Sequence, residues 1–200
     1  MDFPSDAELI EKFRQGQTES FNILVWRWQN RLLNFLYRYL GNRTEAEDIC
    51  QMTFLKAFQK LKRLQDTQKF STWLYRIALN QARDFFRRKR NRPVFSLHQT
   101  FGEDSDGTLE AVLATDSQPA PDVNLQHKEM QVILQQSLQK ISEDQRAVIV
   151  LKIFDGLKFS EIADILKIPE GTAKTRLYTG LKSLRTVLEQ SHLDKEVWKS

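Results

Sequence analysis

Two hundred residues with an apolar fraction of 40% can fill one large core or two small ones. With 28% charged residues, no long apolar run and no basic flank leading into an apolar stretch near Met1, neither a membrane span nor a signal peptide is expected, and the chain reads as soluble and cytoplasmic. Cys50 is the only cysteine, which excludes an internal disulfide, and His98, His127 and His192 are too scattered for a metal site.

In chain order, Ser5 and Glu8 stand at capping-box spacing before a short helix carrying Leu9, Ile10 and Phe13. Phe21, Leu24, Val25, Trp28, Leu32, Phe35, Leu36 and Tyr39 recur at three and four residues, predicting a long helix that ends at Gly41. A second strip of Trp26, Leu33, Tyr37 and Leu40 predicts that this helix sits between two others. Thr44 and Glu47 form another candidate capping box. The helix it opens turns Ala46, Ile49, Cys50, Ala57, Phe58 and Leu61 inward and Asp48, Gln51, Met52, Leu55, Lys56 and Gln59 outward, with Cys50 a packed thiol.

A polar loop from Lys62 to Lys69 precedes a helix striped by Phe70, Trp73, Leu74, Ile77, Ala78 and Phe85. It closes in a basic run through Arg92 and is stopped by Pro93. Its outward side is expected to carry Tyr75, Arg76, Asn80, Arg83, Arg87 and Arg88. Cations interleaved with aromatic and amide groups suit a nucleic-acid strand, because phosphates pair with cations while bases stack or hydrogen-bond. Trp73 shares the register of Phe70 and Ile77, which favours core packing over base stacking.

Residues 93–124 hold six acids and no base among Pro, Gly, Ser and Thr, so they read as an acidic linker. Residues 1–92 carry 18 bases against 10 acids and residues 125–200 carry 12 against 10, so the first module is the one that faces a polyanion. After the linker, 125–141 and 142–154 read as helices, the second capped by Ser142. Two more, 159–166 and 169–189, are joined by a tight turn with Ala163 facing it and Pro169 at the first helical position. These form a helix-turn-helix whose last helix buries Ala173, Leu177, Leu181 and Leu184. Its outward set is Thr172, Lys174, Thr175, Arg176, Tyr178, Thr179 and Lys182, a donor-rich face of the kind that reads base edges in a major groove.

The expected architecture is all-α, two small helical domains on a flexible acidic linker, with a tail at 191–200. The chain has no Gly-rich phosphate loop, no Cys and His nucleophile pair and no zinc-ligand spacing, so no enzyme is expected; Glu45 and Asp48 suit a helix first turn.

The strings EAEDICQMTFLKAFQKL (45–61) and FSTWLYRIALNQARDFFRRKR (70–90) resemble sigma region two, and LKFSEIADILKIPEGTAKTRLYTGLKSLR (157–185) resembles sigma region four. Their order and separation are those of extracytoplasmic-function sigma factors. The resemblance implies that 1–92 binds core RNA polymerase and melts the minus-ten element, and that 125–190 reads the minus-thirty-five element. It implies that Asp48, Gln51, Met52, Leu55, Lys56 and Gln59 dock on the clamp of the largest subunit. It implies that the loop with Lys62, Arg63, Gln65, Asp66 and Lys69 captures a flipped base, supported by Arg76, Asn80 and Arg83. Duplex contact falls to Glu170, Thr172, Lys174, Thr175, Arg176 and Tyr178.

Further implied partners are the polymerase flap and an anti-sigma factor, often membrane-bound; no cofactor, metal or direct membrane insertion is implied. Two positions depart from the family pattern. Lys167 stands where glycine is frequent in the turn, and Ala173 replaces a branched residue of the recognition helix. The rival reading is a stand-alone helix-turn-helix regulator that binds duplex DNA without polymerase.

Overall fold

The computed structural model describes residues 4–91 and 121–190, and all regular structure among them is helical. The first module has four helices: α1 (Asp6–Arg14), α2 (Glu19–Leu40), α3 (Arg43–Lys60) and α4 (Phe70–Asn91). The second has α5 (Pro121–Lys140), α6 (Glu143–Ile149), α7 (Phe159–Leu166) and α8 (Glu170–Gln190), with α6 running on into a wider π-type turn over Val150–Phe154. The connector up to residue 120, including Pro93, and the tail 191–200 lie outside the described residues, and α5 begins at Pro121 rather than at Leu125.

Local sequence sets most helix ends. The Ser5 hydroxyl accepts from the Glu8 amide at 3.3 Å, and the Glu8 carboxylate accepts from the Ser5 amide at 2.6 Å, completing the expected box. These bonds to the charged form hold the Glu8 carboxyl below its ordinary range. Gly41 takes φ 83° and ends α2, its amide donating to the Tyr37 carbonyl. Ser142 caps α6 by accepting from the Gln145 amide. At α3 the expectation was wrong: Asn42, not Thr44, is the cap. The Asn42 side chain accepts from the Glu45 amide at 2.9 Å and its carbonyl accepts from Ala46, which puts Thr44 inside the first turn.

In the first module α2 lies against α1, α3 and α4, burying Leu24, Leu32, Phe35 and Leu36 against Leu9, Ile10, Ile49, Ala57, Leu74 and Ala78. Full burial of such side chains contributes roughly 1.5–3 kcal/mol each. Its second strip behaves unevenly: Leu40 is buried, Leu33 and Tyr37 are half-buried, and Trp26 is 71% exposed. Phe58 edges onto Phe13 and Phe21 at 5.2 Å yet stays exposed on its other side. Cys50 is buried as expected, and burial with Glu47 nearby pushes its thiol up to about 12.

The second module closes over Leu138, Ile141, Val148, Leu151, Ile162, Ile165, Leu166, Ala173, Leu177 and Leu184. Leu181, expected inside, is 38% exposed. Gly180 takes the buried position instead, because α6 passes so close that a β-carbon there would lie 3.0 Å from Gln145 Cβ and 3.1 Å from Ile149 Cδ1.

The two modules pack on one another. The end of α2 and one side of α4 meet α5, α7 and the π-type turn. The last carbonyls of α2 have no partner within their own helix, and the second module supplies the donors. Gln135 Nε2 donates to Tyr37 O at 2.9 Å, Gln139 Nε2 to Arg38 O at 3.0 Å and Arg146 Nη1 to Tyr39 O at 2.8 Å.

Candidate nucleic-acid interface

The polar loop between α3 and α4 is two short 3-10 turns, Leu61–Arg63 and Thr67–Lys69. Leu61 and Leu64 are buried and pin it down; the Arg14 guanidinium of α1 donates to the Leu64 carbonyl from beneath. The Asp66 carboxylate accepts from the Gln68 amide at 3.0 Å, which sets the second turn. With its backbone fixed in this way, the loop stands over an open cleft of about 410 Å³ lined by Arg63, Gln65, Asp66, Lys69, Thr72, Trp73 and Arg76, with Asp164 of α7 on its rim. Trp73 is half-buried, its ring 5.9 Å from Phe70, so it is a core residue on one side and a cleft wall on the other. A cleft with cations at the mouth and an indole in the wall can seat a planar base and its phosphate.

The outward face of α4 is narrower than expected. Asn80, Arg87 and Arg88 are exposed and Arg76 and Arg83 half-buried, but Tyr75 is fully buried, its ring edge-on to Phe35 at 5.1 Å and to Trp28 at 6.4 Å. Tyr75 therefore belongs to the core, and its assignment to a strand-binding face is withdrawn. Burial also drives its hydroxyl well above the ordinary tyrosine value. Lys62 and Arg63 are exposed beside the cleft and continue the basic surface.

On α3, Asp48, Gln51, Met52, Leu55 and Gln59 share the exposed side, Leu55 being 61% exposed. Lys56 is partly withdrawn, its ammonium donating to the buried Gln81 side chain of α4 at 2.5 Å. The outcome is a mixed apolar and polar strip on one rigid helix.

In the second module α7 and α8 are joined by the expected tight turn. Lys167 takes φ 55° and ψ 50°, the left-handed conformation, and both its amide and that of Ile168 donate to Ala163 O. Pro169 stands just before α8 and accepts from Ala173. Glu170, Lys174, Thr175, Tyr178, Thr179 and Lys182 are exposed on α8, and Thr172 and Arg176 are half-buried. The Thr175 and Thr179 hydroxyls donate back to the carbonyls of Gly171 and Thr175, leaving their oxygens free to accept. Lys174 lies 5.7 Å from the Phe159 ring, which holds its stem against α7.

Acidic residues of the second module meet several of these cations. Asp144 at the start of α6 pairs with Arg83 of α4 at 2.9 Å and with Arg176 of α8 at 2.8 Å. Asp164 pairs with Lys69 at 3.4 Å, and its carbonyl accepts from Arg76 at 2.5 Å. The role of Asp144 and Asp164 was not visible in the sequence, because nothing in their local pattern shows which surface they will face. Beside them Asp155 is 9% exposed, and burial raises its carboxyl to about 6 although Tyr75, Arg31 and Arg38 face it and pull the other way. Neither its Oδ2 nor the Tyr75 hydroxyl completes a hydrogen bond of standard geometry, so burial prevails. Among the described residues no group of three or more His, Cys, Asp or Glu is placed to hold a metal ion, and no helix is long and apolar enough to cross a membrane.

Residues 24–92 match the family model of sigma-70 region 2, and residues 131–184 that of sigma-70 region 4. The chain is 35% identical over 179 residues to the ECF RNA polymerase sigma factor SigW of Bacillus subtilis, covering 90% of this chain and 94% of that one. It is 29% identical over 184 residues to the RNA polymerase sigma-H factor of Pseudomonas aeruginosa, covering 92% and 94%. Its fold resembles that of CnrH in complex with the cytosolic domain of CnrY, with a TM-score of 0.65, 23% identity and coverage of 94% of this chain and 99% of that one. It also resembles RpoE of Bartonella quintana, solved in complex with the anti-sigma factor NepR, with a TM-score of 0.62, 20% identity and coverage of 86% and 98%.

Proposed function

This chain belongs to the sigma-70 family as an extracytoplasmic-function (ECF) sigma factor, and from that premise we propose that it binds core RNA polymerase in the cytoplasm and directs promoter-specific transcription initiation. The observation that carries the reading is the presence in one chain of a cation-mouthed cleft beside an exposed basic helix and of a helix-turn-helix with a donor-rich outer face. Single-stranded and duplex DNA make different demands, and the two surfaces answer them separately.

In this reading 1–92 is the polymerase-binding and melting unit and 125–190 the duplex-reading unit, with the acidic linker between them. The exposed strip of Asp48, Gln51, Met52, Leu55 and Gln59, with Lys56 at its edge, docks on the polymerase clamp. A non-template base of the minus-ten element enters the cleft of Arg63, Gln65, Asp66 and Lys69, with Lys62 beside it. Arg76, Asn80, Arg83, Arg87 and Arg88 hold the strand. Energy gained on the extruded base offsets lost pairing and stacking, so the chain melts DNA by binding and performs no covalent step. Glu170, Thr172, Lys174, Thr175, Arg176, Tyr178, Thr179 and Lys182 read the minus-thirty-five duplex from the major groove. An anti-sigma factor controls the chain within a stress or envelope response.

The division of labour is testable in holoenzyme. Lys174→Ala weakens closed-complex formation by about 1–3 kcal/mol, the worth of a base contact. Asn80→Ala leaves closed-complex affinity intact and lowers the fraction of opened promoter, read as permanganate-reactive thymines. Closed-complex affinity and opening equal to the parent in both variants would remove these assignments.

A further inference from the structure

We propose that the cleft between α3 and α4 selects a base carrying an exocyclic amino group, cytosine before all others, and that Asp66 is the residue that selects it. The proposal rests on the reading of this cleft as the seat of an extruded base and deepens that reading by naming the base.

Asp66 is a carboxylate in a cleft whose other charged walls, Arg63, Lys69 and Arg76, are cations. Its Oδ1 accepts from the Gln68 amide at 3.0 Å and so fixes the second 3-10 turn, but a serine, threonine or asparagine could cap that turn without a charge. Nor does Asp66 neutralise its neighbours. Lys69 pairs with Asp164, and among the described residues neither Arg63 nor Asp66 forms an ion pair. Its Oδ2 has no hydrogen-bond partner among those residues. A negative charge here repels the phosphates of an entering strand, a cost that capping does not explain and base selection does.

The acceptor is also held in place. Leu64 and Phe70 are buried on either side of it along the chain, the Arg14 guanidinium holds the Leu64 carbonyl, and the Gln68 amide holds the carboxylate itself. The unpartnered polar groups that line the cleft with it can all donate. They are the Arg63 guanidinium, the Gln65 amide and the hydroxyl of Thr72, a residue only 7% exposed. An extruded base is read along its Watson–Crick edge. Cytosine presents there its N4 amino donor beside the acceptors N3 and O2, which matches a fixed acceptor set among donors. Adenine offers its N6 amino group with a single ring acceptor. Guanine turns a pair of donors outward and calls for both carboxylate oxygens, of which Oδ1 is committed to Gln68. Thymine sets its O4 carbonyl against Oδ2, acceptor facing acceptor. The order of preference is therefore cytosine, then adenine, with guanine and thymine last.

The test uses holoenzyme assembled from the full chain and core RNA polymerase. It is bound to duplexes carrying a pre-melted bubble whose non-template strand is randomised, and the retained strands are sequenced. Parent holoenzyme should enrich cytosine over thymine by roughly tenfold at one position of the bubble. Asp66→Asn keeps the oxygen that caps the turn and puts a donor where Oδ2 stood, so at that position alone the preference should fall to parity or pass to thymine. A second arm leaves the chain unchanged and decides by itself if the variant is not retained. At the selected position 5-methylcytosine, which has the methyl group of thymine and the amino group of cytosine, should bind like cytosine, and uracil like thymine. The proposal is overturned if Asp66→Asn and the parent select the same base at every position, or if 5-methylcytosine binds like thymine. Retention of no bubble by the parent holoenzyme contradicts the base-capture reading itself, so the two failures are distinguishable.

Discussion

Replacing Arg146 by methionine keeps the length of the side chain and removes its fork of donors. In the native chain Arg146 is 5% exposed, and the Glu143 carboxylate acts on its charge while its hydrogen bonds go to carbonyl oxygens. It donates to Leu138 O at 2.7 Å, Gln139 O at 2.9 Å, Ile141 O at 3.1 Å and Gln139 Oε1 at 2.5 Å, and across the interface to Tyr39 O at 2.8 Å. Three of these acceptors are carbonyls at the end of α5 and one belongs to the end of α2, all without an intrahelical partner. Burial lowers the Arg146 pKa, so the charge is held against a desolvation cost that methionine relieves. The carbonyls left behind dominate: each costs about 1–3 kcal/mol if it stays dry, and partial hydration brings the net loss to about 3 kcal/mol. Urea unfolding followed by far-ultraviolet circular dichroism should show a midpoint lower by roughly 1–3 M. Arg146→Lys should recover little, since an ammonium cannot span carbonyls from two helices. A loss below about 1 kcal/mol in Arg146→Met, or full recovery with lysine, would refute the reasoning.

Lys167→Gly relieves the left-handed strain in the helix-turn-helix and, after the added freedom of the unfolded chain, should stabilise by roughly 0.5–1 kcal/mol, read as a higher melting temperature. Asp155 titrates near 6 when docked against an ordinary 3.8, so the docked state binds the extra proton. Docking should therefore strengthen as pH falls from 7 to 5 and weaken as pH rises through 6, by up to roughly 3 kcal/mol across the full shift. Asp155→Asn should flatten that dependence and favour the docked form at neutral pH; an unchanged interdomain distance distribution from pH 5 to 7 in the parent would count against it. Cys50, with its thiol raised to about 12, should resist iodoacetamide in the native chain and react readily in urea. Rapid native alkylation would place the thiol outside the core.

Legibility followed the range of the interaction. Ser5 with Glu8, Gly41, Ser142 and the Ala163 to Pro169 turn are local devices, and each could be read from a few neighbouring residues. Asn42 and Thr44 competed for one cap, and the winner depended on which carbonyl reached Ala46, a choice spacing alone does not make. Tyr75 was misplaced for a longer-range reason. A helix packed on one partner exposes its other side, but the Tyr75 ring packs edge-on against Phe35 and Trp28 of α2, and Asp155 of the second module faces its hydroxyl. Leu181 and Gly180 traded places because α6 crosses close to α8. Asp144 and Asp164 look like ordinary helix-surface acids until the modules are brought together, so the periodicity that marked the basic faces of α4 and α8 could not show which acids pair with them.

The most direct measurement of the central claim is transcription by core RNA polymerase on a randomised promoter library, with and without this chain. The account predicts that the chain is retained by core enzyme and that transcripts arise from a defined subset of sequences only when both are present, while the chain alone binds those sequences weakly. No retention and no promoter opening, together with tight operator binding by the isolated chain, would contradict it.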